Sequence, residues 1–266
     1  MKNLTSALIA AGLLAVSAPV AGQVAEAAPA LALVGDKTLV MFDTDNPSVS
    51  KSMDVDGVDS LLGIDLRPSN RTLIGVTDDH HIVEINPATG KAMMKSKMDT
   101  MLPVDGGPVI VDFNPAADKL RFMTGTTNHR VDVDSGKVTV DGSLAFESKD
   151  MHAGEAPDIV AAAYINSYGK PDKTAMYDID KTIVALIQQT SPNDGTLGAI
   201  GKLGINNPGE YYAFDVQTTA DMTNTGWLVT DNILYTVDMN TGKATAKGAI
   251  NGAEGEVRDL TVLTLD

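Results

Sequence analysis

The chain has 266 residues, with 35 acidic and 20 basic side chains, a formal charge of −15 and no cysteine. That balance argues against nucleic acid and anionic lipid as partners, because both are recognised by basic patches. Without cysteine there are no disulfide cross-links and no thiol chemistry, so stability must come from an ordinary core.

The first 27 residues, MKNLTSALIAAGLLAVSAPVAGQVAEA, carry Lys2, an apolar stretch from Leu4 to Val20, and a small-x-small site at Ala25-Glu26-Ala27. This is the layout of a secretory signal peptide. The expectation is cleavage after Ala27, export to the periplasm or beyond, and no membrane insertion of the mature chain. Residues 28–266 are then a single domain.

Helix signals are weak from there on. Short alternating runs rich in Val, Ile, Leu and Thr follow one another, separated by turn dipeptides. LALVGDKTLVMFDTDNPSVSKSMDV (31–55) reads as three strands. LLGIDLRP (61–68) begins a new unit, and GVTDDHHIVEIN (75–86) continues it as strand, tight polar turn and strand. INPATGK (85–91) closes that hairpin, with Asn folding onto its own backbone and Gly supplying φ > 0. The same turn returns as VDVDSGK (131–137) and VDMNTGK (237–243), and the strand–turn–strand unit returns as LVTDNILYTVD (228–238).

LLGIDLRP itself returns as VIVDFNP (109–115), YYAFDVQ (211–217) and EVRDLTV (256–262). The matched aspartates are Asp65, Asp112, Asp215 and Asp259; the fifth place, near residue 163, falls in VAAAYINS (160–167), with alanine instead. Repeats of this length, each with about four strands, predict an all-β, five-bladed β-propeller. EVRDLTV would be the innermost strand of the blade whose other three strands are 31–55. The ring would therefore be closed by the C-terminal strand pairing with the N-terminal strands. A long β-sandwich also fits regular turn spacing.

DFNPAADKLRF, TTNHRVDVDSGKVTVDG, IVAAAYINS and SPNDGTLGAIGKLG, in this order, resemble a family of bacterial exported proteins catalogued only as a domain of unknown function. AAAYINS and PNDGTL are the most specific runs. The resemblance covers the chain from about Leu31 and implies export and a propeller-like fold, without an assigned reaction. The sequence departs from the family's usual pattern at Phe122-Met123-Thr124-Gly125.

The first strand of a propeller blade lines the central channel. Asp65, Asp112, Asp215 and Asp259 then have two readings. Each accepts N–H hydrogen bonds and ties neighbouring blades, or together they form a ring of oxygens that binds Ca²⁺, another hard cation or a cationic ligand. The loops leading into the first strands carry Asp54, Asp56, Asp59, Asp99, Asp105, Glu147, Asp150, Glu155, Asp158, Glu210, Glu254 and Glu256, with Lys149 as their one base, so the channel mouth is expected to be acidic. His80, His81, His129 and His152 read as solvated turn residues, and Met93, Met94, Met98 and Met101 as gap-fillers. No G-x-S-x-G, H-E-x-x-H or P-loop pattern occurs. The expected function is a non-catalytic propeller that binds a cation, a small ligand or a protein through an acidic face. The alternative is a metal-dependent hydrolase or glycosidase using the channel aspartates, which needs an open pocket around two of them.

Overall fold

The structure is a computed structural model that describes residues 27–263. The signal segment read at 1–27 lies outside the described residues except for Ala27. Five small sheets stand around one axis. Blade 1 is Leu61–Arg67, Thr72–Thr77, His81–Ile85 and Ala92–Lys97. Blade 2 is Ile110–Asn114, Lys119–Thr124, Thr127–Asp132 and Lys137–Val140. Blade 3 is Ile159–Tyr164, Met176–Asp180, Ala185–Ser191 and Thr196–Lys202, with the short Ala145–Phe146 running parallel to its outer strand. Blade 4 is Tyr212–Thr218, Asn224–Thr230, Ile233–Val237 and Ala244–Ala249. Blade 5 joins the two ends of the chain: Val257–Val262 is its inner strand, and Pro29–Val34, Thr38–Asp43 and Asn46–Asp54 follow outward. Closure therefore takes one strand from the C-terminal side and three from the N-terminal side, with Ala30 opposite Val262 and Ala32 opposite Leu260.

Burial explains why inner and outer strands look different in sequence. Tyr212–Thr218 and Ile159–Tyr164 are buried at every position, because a blade's inner strand is covered on both faces and at its edge. Asn46–Asp54, an outer strand, alternates between half-buried and exposed along its first half. Each gap between blades holds one apolar cluster. Phe113 and Phe122 pack with Ile74 between blades 1 and 2, and Met123 with Tyr164 and Met176 between blades 2 and 3. Phe214 packs with Ile179 between blades 3 and 4, Trp227 with Leu260 between blades 4 and 5, and Leu31 with Ile64 between blades 5 and 1.

The Gly-Lys turns do more than reverse the chain. Gly90, Gly136 and Gly242 have φ of +74°, +74° and +77°, as the turn chemistry requires. A Cβ on Gly136 would lie 1.9 Å from the Lys97 carbonyl oxygen of the preceding blade, and one on Gly242 2.3 Å from that of Gly201. These turns are where successive blades touch at their outer strands.

Candidate functional site

The channel aspartates clasp one blade to the next. Asp65 accepts the N–H of Leu66 at 2.7 Å and, through its other oxygen, that of Phe113 in blade 2 at 2.7 Å. Asp112 accepts the N–H of Tyr164 in blade 3 at 2.9 Å. Asp215 accepts the N–H groups of Val216 and of Val262 in blade 5, both at 2.6 Å.

Thr261, not Asp259, stands level with these three. Its hydroxyl accepts the Leu66 N–H of blade 1 at 3.2 Å and donates to Asp65 Oδ1 at 3.0 Å. Asp65, Asp112, Asp215 and Thr261 all meet the N–H one residue beyond the matching position of the next blade, which makes Ala163 the fifth member. Asp259 lies two residues earlier on the strand and accepts the N–H groups of Ile64 at 2.7 Å and Leu260 at 2.9 Å. The irregularity at Arg258 falls three residues before Thr261, as those at Leu62 and Val160 fall three before Asp65 and Ala163, which marks Thr261 as the matched position. Gly63 makes room there: a Cβ would sit 2.8 Å from Asp259 Oδ2 and 2.6 Å from Val111.

Blade 3 lacks the carboxylate and ties to blade 4 differently. Asn166, at φ +62°, donates its N–H to Asn224 Oδ1 at 2.8 Å, and the Ser167 N–H donates to Thr218 Oγ1 at 2.9 Å. The polar end of AAAYINS thus replaces the clasp that Ala163 cannot make.

One oxygen from each of Asp65, Asp112 and Asp215 lies within 4.8 Å of the others, a group that Asp259 does not join. Burial raises the Asp215 carboxyl to about 6 and that of Asp259 to about 7. Burial, then the charge of Asp215, pushes Asp65 well above the usual carboxylate range; burial, then Asp65 and Asp215, does the same for Asp112. Close buried carboxylates cannot all ionise, so the group holds protons at neutral pH unless a cation sits among them. The cavities at this depth are about 10 Å³ each, one against Asp65, Asp215 and Thr261 and one against Asp259 and Ala162. That is room for about one water in each.

The larger space is at the mouth. A cavity of about 420 Å³ opens where the loops into the inner strands converge, and all five blades line it. Of the acids expected there only Asp158 and Glu210 line it, joined by Asp36 from a turn within blade 5, and Lys181 and Arg258 also face it. The expectation of an acidic mouth missed both cations. Lys181 sits in the turn after Met176–Asp180, and Arg258 sits in an inner strand, so neither belongs to a loop between blades. Tyr212 lines the same cavity at 4 % exposure, and its hydroxyl has no hydrogen-bond partner among the described residues. Burial, then Asp158 and Asp180, raises its pKa, so it remains a donor.

The motif runs elsewhere converge on Arg121, which is 1 % exposed. Its guanidinium donates to Asn128 Oδ1 and Asp141 Oδ2 at 2.7 Å, to Asn193 Oδ1 at 3.1 Å and to the Tyr164 hydroxyl at 3.2 Å. The specific residues of TTNHRVDVDSGKVTVDG, IVAAAYINS and SPNDGTL therefore satisfy one buried cation between blades 2 and 3. His80 and His129 depart from the solvated reading. Both are buried, and His80 Nε2 accepts the Leu102 N–H at 3.0 Å, holding the loop between blades 1 and 2.

The fold and its inner-strand clasps define a closed five-bladed β-propeller. The family described as Domain of unknown function (DUF4394) matches residues 38–261, and the chain belongs to it. No curated protein matches the chain. Among solved structures it is similar to a structural genomics protein of unknown function from Bacteroides thetaiotaomicron VPI-5482, at 14 % identity and a TM-score of 0.51. That match covers 88 % of this chain and 66 % of the other. It is also similar to a protein of unknown function from Bacteroides caccae, at 9 % identity and a TM-score of 0.44, covering 86 % and 76 % of the two chains. An auxiliary nutrient binding protein from Bacteroides ovatus ATCC 8483 aligns at 12 % identity and a TM-score of 0.42, over 79 % of this chain and 57 % of the other. At 14 % identity the first of these likenesses is one of fold alone. Among the described residues no helix is long and apolar enough to cross a membrane.

Proposed function

We propose that this is an exported, non-catalytic propeller that binds a small molecule at the mouth of its channel. The observation that carries this reading is the 420 Å³ cavity, lined by two cations, Lys181 and Arg258, and by Asp36, Asp158 and Glu210. Its size falls in the range of small-molecule sites, which are concave and carry a few convergent polar groups. Export rests on the leader read at residues 1–27. A thermal-shift screen of sugars, amino acids and organic acids tests the site. Ligands that raise the melting temperature are expected to lose their effect in Ser60→Trp, which fills the cavity from its rim. Hits that survive this substitution would place binding elsewhere.

A second reading belongs to the ring, because three carboxylate oxygens within 4.8 Å are spaced to share a cation such as calcium. The titration of these groups sets the background for its test. Their folded-state pKa values lie above the unfolded value, so the stability they contribute is fully present below about pH 4. It is lost as pH rises through about 6 and 7, the values of Asp215 and Asp259. Asp178, raised to about 8 by burial, extends the loss upward. Ion-paired carboxylates such as Asp118 and Asp141, held low, act in the opposite sense below pH 4. The melting temperature is therefore expected to fall by several degrees between pH 5 and 8. If calcium enters the ring, millimolar calcium at pH 8 recovers the loss after prior chelation. No recovery leaves the ring as a proton-holding clasp.

A further inference from the structure

We infer that the mouth cavity takes a small molecule bearing a carboxylate, which Arg258 receives with Lys181 as a second cation on the same cavity. This rests on the mouth cavity being the ligand site. In a chain of charge −15, cationic side chains meet carboxylates readily, and most buried or half-buried ones do. Arg67 lies on Asp118 and Asp134, Arg121 and Arg130 both lie on Asp141, and Lys95 lies on Glu84 and Asp134.

Arg258 is held otherwise. Its Nε donates to the Gly35 carbonyl at 2.6 Å, and its Nη2 to the Leu61 carbonyl at 2.8 Å. Carbonyls of blades 5 and 1 thus fix the plane of the guanidinium without cancelling its charge. Its Nη1 makes no hydrogen bond among the described residues. Lys181 Nζ likewise reaches a carbonyl, that of Glu210 at 3.2 Å, and no carboxylate. Two cations on one cavity, neither of them paired with a carboxylate, call for an anion, and a guanidinium matches carboxylate geometry.

The acids of the same cavity refine the class. Asp36, Asp158 and Glu210 repel a doubly charged phosphate but accept hydroxyl or ammonium groups at the far end of a singly charged ligand. Sugar acids and amino acids share that chemistry.

The test is a titration of the arginine side-chain Nε–H signals by NMR at constant ionic strength. The probes are D-glucuronate, L-glutamate, neutral D-glucose and inorganic phosphate. One or both carboxylates are expected to shift the Arg258 signal saturably, while Arg67, Arg121 and Arg130 stay put and glucose and phosphate have no effect. Glucuronate without glutamate assigns a sugar acid; the reverse assigns an amino acid. Arg258→Gln should weaken binding at least tenfold. Equal or better binding of glucose, lost in Ser60→Trp, would overturn the carboxylate and leave the mouth site standing. Unsaturable shifts with every probe would overturn both.

Discussion

Deletion of residues 256–266 is expected to abolish cooperative unfolding. The deleted strand, Val257–Val262, is the inner strand of blade 5 and the single element that joins the two ends of the ring. Val257, Leu260 and Val262 are buried in the cluster with Trp227 and Val229. Burying three such side chains is worth about 1.5–3 kcal/mol each, a sum comparable with the whole stability of an ordinary domain, about 5–15 kcal/mol. The backbone costs add to this. Pro29–Val34 would become an unpaired edge although five of its six residues are buried. Asp215 would lose the Val262 N–H, and Asp65 would lose Thr261. Urea unfolding followed by circular dichroism should show a broad, low-amplitude transition or none. A truncated protein that melts like the full chain would refute ring closure as the source of stability.

Substitution of Arg121 by methionine is expected to cost about 3–5 kcal/mol, the scale for breaking a buried ion pair from one side. Methionine fills much of the space but donates nothing. Asn128, Asn193 and the Tyr164 hydroxyl lose a donor together, and Asp141, 5 % exposed, keeps only the peripheral Arg130. Arg130→Gln is the control. It removes a partner of the same carboxylate, but Arg130 is 31 % exposed, so a loss of about 1 kcal/mol or less is expected. The urea midpoint of the two variants separates the outcomes. A methionine variant as stable as the control would show that the motif residues around Arg121 serve something other than the fold.

These two expectations bear on why the motif residues recur. Asn128, Asp141, Tyr164 and Asn193 surround a cation sealed between blades, with the mouth cavity lined by other residues. The runs that carry the family resemblance therefore serve the fold of this chain, and none of these four residues lines the mouth cavity.

The repeat itself was legible in the sequence because each blade is built by local rules. Alternation makes strands, Asn or Asp with Gly makes turns, and a strand buried on both faces reads as a continuous apolar run with one polar residue in register. From these rules come five blades, closure by 256–262 onto 31–55, and a carboxylate at three of the inner-strand levels. What needed the assembled ring was whatever depends on blades meeting. Thr261, two residues beyond Asp259, holds the clasp level; the aspartates match in sequence pattern, but only the hydrogen bonds to blade 1 show which residue of the last strand meets Leu66. Arg258, Lys181 and Tyr212 come from an inner strand, a turn within a blade and the start of another inner strand, far apart in the chain and without a shared motif. They line one cavity because five blades converge at a single mouth, where an arginine held by carbonyls shares the space with Lys181.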